Sequence, residues 1–393
     1  MANRLISESI RPRRLPRLAF PAGIPAGHRV MVVMPALLTD RSGVAHLVDQ
    51  LERHYLANPE DNAQFALLTD FTDADALRVA ADEALLAAAV LAIDALNRSH
   101  PAAPGQVARF LLLHRERTWS ATEGKWIGSE RKRGKLEQLI TALADGNAGP
   151  FLPLGGRVVT MPGTRYVLTL DSDTQLPPGR LRELVSIAAH PLNEQEATPY
   201  HWLFAGQCGV DPYSAANSEV YQDLFGEGTF TGKGLLHVGA MHAVLAKRLP
   251  DERILSHDLL EGAFARCGAV TDVTVVEDMP IHADVAAARV HRWTRGDWQL
   301  LVVLLHPRRY PIDAVSRWKM LDNLRRSLVA PMSLALLVAS LLTPLISPFA
   351  VLALVAAAFC GGPMIGALTG LVPTARRLAP GYFYGKGMAD VAR

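Results

Sequence analysis

YVLTLDSDTQ (Tyr166–Gln175) is an apolar run that ends in two aspartates one residue apart. The run reads as a strand over Arg165–Leu170 that delivers Asp171 and Asp173 into a turn. Two like charges so close together are costly unless a cation sits between them, and a hard divalent ion bridging to a diphosphate meets that need. A helix-capping aspartate beside an unrelated neighbour is the competing reading, because a lone DxD is short.

Upstream the chain repeats one pattern. Val30–Leu37 (VMVVMPAL) reads as a buried strand, and Gly43–Leu56 has helical spacing with Val44, Leu47, Val48 and Leu51 on one face. Phe65–Leu68 is a second strand ending in Thr69-Asp70, Ala80–Leu96 an alanine-rich helix, and Phe110–His114 a third strand. Ser129–Leu143 is a helix capped by Ser129, and a further helix runs from about Gly179 to His190. Alternating strands and helices predict a mostly parallel sheet with helices on its faces. Ligands of such sheets bind outside the carboxyl ends of the strands, where Asp70 and Asp171 both fall.

Other motif readings fail by register. A haloacid-dehalogenase-type phosphatase needs Thr where this chain has Gln175. A Walker loop in GEGTFTGKG (Gly226–Gly234) needs Gly at Glu227 and Ser or Thr at Gly234. The net charge of +2 implies no bulk attraction to nucleic acid, although basic residues cluster at Arg11, Arg13, Arg14 and Arg17 and again at Arg131, Lys132, Arg133 and Lys135. Cys208, Cys267 and Cys360 are odd in number and lack a CxxC pair, which excludes a disulfide framework and a zinc cage. Residues 1–27 read as an irregular basic lead-in and carry no apolar core of a signal peptide.

Two further stretches carry candidate chemistry. SHDLLEG (Ser256–Gly262) sets Asp258 at the head of a helix, as a cap or as a general base facing a hydroxyl. RVHRWTRGDWQ (Arg289–Gln299) packs Arg292, Trp293, Arg295 and Trp298 together. Tryptophan offers a stacking face to a sugar ring and arginine holds phosphate bidentately; an amphipathic helix at a membrane surface would look similar. From Ser327 to Ala375 no charged residue occurs. A bilayer crossing takes about 20 apolar residues, so the run reads as two spans, Leu328–Ile346 and Phe349–Leu371. Arg325 and Arg326 on one side and Arg376 and Arg377 on the other put both ends on the cytoplasmic side.

The order of DxD, lone Asp, Arg-Trp and membrane helices resembles the membrane-integrated GT-A glycosyltransferases. More closely, FALLTDFTDA (Phe65–Ala74), ERKRGKLEQL (Glu130–Leu139), LTLDSDTQLP (Leu168–Pro177), VYQDLFGEGTFTGKG (Val220–Gly234), ILSHDLLEG (Ile254–Gly262), HRWTRGDWQ (His291–Gln299) and WKMLDNLRRSL (Trp318–Leu328) resemble the glycosyltransferase family 84 domain of bacterial cyclic β-1,2-glucan synthases. That resemblance implies an α/β fold of GT-A type, with a mostly parallel sheet flanked by helices over residues 28–300. An interfacial segment at 301–327, a transmembrane hairpin at 328–371 and a cytoplasmic tail at 372–393 would follow.

The implied reaction is an inverting transfer of glucose from UDP-glucose to a growing β-1,2-glucan. By the same resemblance Asp171 and Asp173 hold Mg²⁺ or Mn²⁺, and Asp258 is the catalytic base. Asp70, Asp73, Lys135, Arg292, Trp293 and Arg295 bind the donor, with Lys135 near its diphosphate. Glu227, Phe230 and Trp298 bind the acceptor. Arg289 stands where the family's QxxRW motif has Gln. The implied partners are the lipid bilayer of the bacterial inner membrane and separately encoded glycan-processing domains, not nucleic acid.

Two alternatives stay open: a membrane polysaccharide synthase of different sugar or linkage, and a non-catalytic membrane-anchored remnant. Only ten residues separate HPLN (His190–Asn193) from FAGQCGVDPY (Phe204–Tyr213), where the family carries a longer piece with a strand. The expectation is a sheet that lacks a strand there or fills the place with another segment, and a weakened enzyme.

Overall fold

The computed structural model describes residues 15–147, 149–190, 203–207, 222, 226–246, 248–250, 252, 258–277 and 283–370. Outside them lie the HPLN link after His190, Ser256 and His257 ahead of Asp258, and the tail with Arg376 and Arg377. The chain divides into two compact units, one reaching to Met320 and one beginning at Leu321.

The first unit is built on one sheet. Its strands are β1 (Val30–Leu38), β2 (Ala63–Phe71), β3 (Phe110–His114), β6 (Tyr166–Thr169), β8 (Leu203–Gln207), β9 (Gly234–His237) and β10 (Gly268–Thr274), in the order β10-β8-β9-β6-β1-β2-β3. β1 pairs in parallel with β2 and β6, β2 with β3, and β8 with β10. β9 alone runs against its neighbours, β6 and β8. The sheet is therefore mostly parallel, as the alternation of elements predicts. It also shows no break at the shortened link, because β9 lies directly on β6 and β8 on β9.

Alternate residues of each strand enter opposite cores, which is why the strands read as continuous apolar runs. Val30, Val32 and Met34 of β1, Phe65 and Leu67 of β2, and Tyr166 and Leu168 of β6 face one layer. That layer is closed by α1 (Arg41–Ala57), α2 (Asp82–Ser99) and α4 (Arg180–Ala188). Met31, Val33, Ala66, Leu68 and Val167 face the other, where α3 (Arg131–Asp145), α5 (Val238–Leu245) and α6 (Asp258–Ala265) pack. A third cluster joins Leu259, Leu260 and Phe264 of α6 to Leu300, Val303 and Tyr310 around α8 (Leu301–Leu305). Two small ribbons complete the unit: β4 (Thr118–Ser120) with β5 (Lys125–Ile127), and β7 (Thr174–Gln175) with β11 (Val276–Glu277).

Two sequence expectations need correction. Ser129 does not cap α3. Glu130 occupies the cap in the left-handed region (φ 51°) with no side-chain cap bond, and Arg131 follows at φ 49°. The expected pair of spans also differs. Helix α9 (Ala314–Leu342) starts well before the uncharged run and continues into it, so the interfacial stretch from Ala314 onward and the first span are one helix. Among the described residues α9 is the one helix long and apolar enough to cross a membrane by length and composition. α10 (Pro348–Gly370) is also apolar, and over Pro348–Cys360, to which its side chains are described, it is too short to count as a second span, so the described residues hold one candidate span.

The EGTF loop (Glu227–Phe230) is fixed by close packing on α6. A Cβ added at Gly262 would stand 2.8 Å from Cβ of Phe230, which is itself buried in the second core. Gly262→Ala should therefore lower stability by about 1–3 kcal/mol, the usual cost of overpacking. Denaturant unfolding checks this, and an unchanged midpoint would mean that the loop yields freely.

Candidate active site

The site grows from the carboxyl end of β6. Asp171 follows that strand, and the amide of Thr174 donates back to the Asp171 carbonyl at 3.0 Å, closing the turn that holds Asp173. The β7–β11 ribbon pairs Thr174 with Glu277. It thereby brings a third carboxylate to the pair, and one oxygen each of Asp171, Asp173 and Glu277 lies within 4.8 Å of the others. Oδ1 of Asp173 is buried without a hydrogen-bond partner. An all-oxygen set with one lone acceptor suits a hard divalent ion such as Mg²⁺ or Mn²⁺.

Cations from three other elements reach these acids. Lys132 Nζ of α3 donates to Asp171 Oδ1 at 2.6 Å and to the Gly232 carbonyl at 2.9 Å. Lys233 Nζ stands 3.5 Å from Asp171 Oδ2 and pairs with Glu277. A guanidinium nitrogen of Arg289, on α7 (Ala283–Gln299), lies 3.0 Å from Asp173 Oδ2. Desolvation disfavours charge on Asp171, yet Lys132 and Lys233 outweigh it and hold its carboxyl below the ordinary aspartate range. Lys132 is likewise disfavoured by desolvation, but Asp171 and then Asp258 keep its ammonium above the ordinary lysine range.

Asp258 opens α6, as its place at a helix head predicts. Its carboxylate lies against Gly232, where an added Cβ would meet Oδ2 at 2.5 Å and where φ is +85°. Glycine is thus required there twice over, by conformation and by space. One turn on, Glu261 is buried and its Oε1 has no hydrogen-bond partner. Burial, and then Asp258, push its carboxyl up to about 8 against the pull of Arg133 and Lys132.

The end of β2 carries a second charged group. Asp70 is 1% exposed, and Arg115 grips it with two bonds of 2.8 Å. Lys135 Nζ stands 3.3 Å away and donates to the Ala36 carbonyl. Burial is the main reason that the Lys135 ammonium falls to about 8, with Asp70 opposing the shift. Gly128 passes so close that a Cβ would lie 2.1 Å from Asp70 Oδ2. Asp73 is exposed and bonded to Arg131 at 2.9 Å.

The remaining predicted residues separate into two groups. Glu227 is buried against Arg266 (3.1 Å), Ser316 (3.4 Å) and Lys319 (3.7 Å), and Phe230 is buried in the core. Both stand inside the protein rather than on an open face. On α7, Arg292 is exposed, as are Trp293 (54%) and Trp298 (44%), while Arg295 pairs with Glu123 of the β4–β5 ribbon. The Arg289 guanidinium lies 5.7 Å from the Trp293 ring centre, so one helix turn presents both an exposed aromatic ring and a bond to Asp173.

No family model matches the chain. It is 42% identical over 347 residues to the cyclic beta-(1,2)-glucan synthase NdvB of Rhizobium meliloti (strain 1021). The matched region covers 81% of this chain and 12% of that synthase, so the chain spans a small part of its relative's length. Among solved structures it is similar to galactosyltransferase LgtC in complex with donor and acceptor sugar analogues, with a TM-score of 0.31 and 13% identity. An active-site mutant of LgtC gives a TM-score of 0.33 and 14% identity. Each alignment covers 67% of this chain and 93% of LgtC.

Sequence reasoning missed Lys132, Lys233, Glu277, Glu261 and Arg115. Lys132 sits in a basic cluster of the kind that is usually a solvated face, and Glu277 reaches the acids only through a ribbon of two-residue strands. The sequence signal for Lys132 was the basic run 131–135 itself.

Glu261 gives a pH signature. The folded chain keeps it protonated to about pH 8, whereas the unfolded chain ionises it near 4.5. Stability from this group is fully present below about pH 4.5 and is lost as pH rises to about 8. Glu261→Gln should flatten that part of the pH–stability curve and raise the melting temperature more at pH 8 than at pH 4.5. Equal shifts at both pH values would mean that Glu261 is ionised in the fold.

Proposed function

We propose that this chain is a GT-A-type glycosyltransferase module of a cyclic β-1,2-glucan synthase. It would transfer glucose from UDP-glucose to the 2-hydroxyl of a growing β-1,2-glucan. The observation that carries this reading is the reach of Lys132. Its ammonium joins Asp171 to the Gly232 carbonyl, and Gly232 lies against the Asp258 carboxylate. A strand-end acid pair and a distant helix-head aspartate thus belong to one cluster. Identity of 42% to a stretch of a glucan synthase supports the same substrate class.

An α-linked donor giving a β-linked product requires one in-line displacement. The acceptor hydroxyl attacks the anomeric carbon from the face opposite the diphosphate, while Asp258 takes its proton. The anomeric C–O bond breaks and its electron pair leaves with UDP. A divalent ion held by Asp171, Asp173 and Glu277 would supply charge neutralisation at the departing diphosphate. Trp293 and Trp298 would offer stacking faces for the glucan, and Arg292 and Arg295 of the same helix would bind donor phosphate. Asp70, through Lys135, and Asp73, through Arg131, would shape the nucleotide end. Glu227 and Phe230, both buried, would support the acceptor-binding loop. Residues 28–300 would form the catalytic domain on the cytoplasmic face of the inner membrane, with α9 as its anchor.

Asp171→Asn or Asp173→Asn should abolish divalent-dependent UDP binding with little change in stability. Asp258→Asn should keep UDP-glucose binding while transfer falls by about 10²–10⁴-fold, the usual range for a lost general base. Calorimetry with UDP and a radiolabelled transfer assay in membranes separate the two. Parent-like UDP and metal binding by the first pair, or parallel loss of binding and turnover in the third, would defeat these assignments.

A further inference from the structure

Each carboxylate that could hold a divalent ion already carries a protein cation. Lys132 lies on Asp171, Lys233 on Asp171 and Glu277, and Arg289 on Asp173. Those three acids thus face three cations, and Asp258, beside Gly232, adds a fourth carboxylate, so the cluster holds one excess negative charge without metal. A divalent ion alone would turn that into an excess positive charge. It would sit about 2.1 Å from oxygens that already bind ammonium groups, close enough for strong repulsion. Lys233 cannot escape this into water, because its side chain is only 8% exposed.

A diphosphate removes the conflict. It brings the missing negative charge and offers the lysines new oxygen acceptors. Lys132 is suited to such an exchange, because its second bond, to the Gly232 carbonyl, would keep the ammonium at the site once Asp171 is given up. Both lysines approach Asp171 from outside the β6 turn, one from the start of α3 and one from the segment before β9.

We propose that Lys132 and Lys233 are resident counter-cations of the strand-end acids. They make divalent-ion binding conditional on a nucleoside diphosphate, and they pass from carboxylate to phosphate oxygens when ion and diphosphate arrive together. This rests on the reading of Asp171 and Asp173 as ion ligands.

The test uses the full chain in detergent, with Mn²⁺ and UDP as probes. Free Mn²⁺ is followed by electron paramagnetic resonance, and UDP binding at saturating Mn²⁺ by calorimetry. The unaltered protein should bind Mn²⁺ at least about fivefold more tightly with UDP than without, the low end of usual coupling between ligands. Lys132→Gln should shift the two affinities in opposite directions, Mn²⁺ alone tightening about tenfold and UDP weakening about tenfold. Lys233→Gln should do the same, and Lys132→Arg should keep both near the parent. A merely structural lysine would weaken both affinities together, and that result, or no change in either, overturns the proposal. So does equal Mn²⁺ affinity with and without UDP in the unaltered protein, a measurement that needs no variant to fold. If Asp171→Asn binds Mn²⁺ as the parent does, the ligand assignment itself falls, and the proposal with it.

Discussion

Carboxylates at the ends of β2 and β6 stay charged in crowded surroundings because α3 lays two lysines across them. Lys132 and Lys135 are one helical turn apart, so a single helix serves Asp171 and Asp70 together. Each residue turns an α-helix by about 100°, so an entry shifted by one position would swing both ammonium groups away. The entry is set by Glu130 and Arg131, two consecutive non-glycine residues in the left-handed region. Each such residue costs of order 1–3 kcal/mol and persists only where its surroundings over-determine it. They do so here, because Glu130 is tied to Arg133 and to the Glu252 amide while Arg131 is tied to Asp73. Backbone strain and charge compensation are therefore two sides of one arrangement.

The parts of the fold that depend on local pattern were legible in the sequence. β1, β2, β3 and β6 announce themselves as short apolar runs, and α1 carries its core face at helical spacing. What failed to announce itself depends on partners far along the chain. β9 is only GLLH and runs straight into α5, so no turn residue marks it off as a strand. β7 and β11 are too short for any periodicity. The same division holds for the site. Asp171, Asp173 and Asp258 were visible because acids at strand ends and helix heads have local signatures. The burial of Glu227, expected at the acceptor, was not visible in the same way, since Arg266 and Lys319, which draw it inward, belong to other elements.

Helix α9 shows the limit of reading composition by segments. The change from charged to uncharged sequence near Ser327 looks like a boundary, yet the backbone passes through it as one helix with Pro331 inside. Asp322 accepts bonds from both Arg325 and Arg326, so one of the two positive charges that flank the span is already offset along the helix.

The lone reversed strand sets an order of assembly. β1, β2, β3 and β6 come from the first part of the chain and pair only with one another until β9 arrives. They can condense while the rest of the polypeptide is still being made, since domains form from the amino-terminal side during synthesis. In that interval the outer edge of β6 offers unpaired backbone groups, a template for pairing with another chain. β9 ends the exposure by docking on that edge, and the same segment carries Gly232 and Lys233 to the acids. Protection against misassembly and completion of the acid cluster are thus one late event in the maturation of this chain.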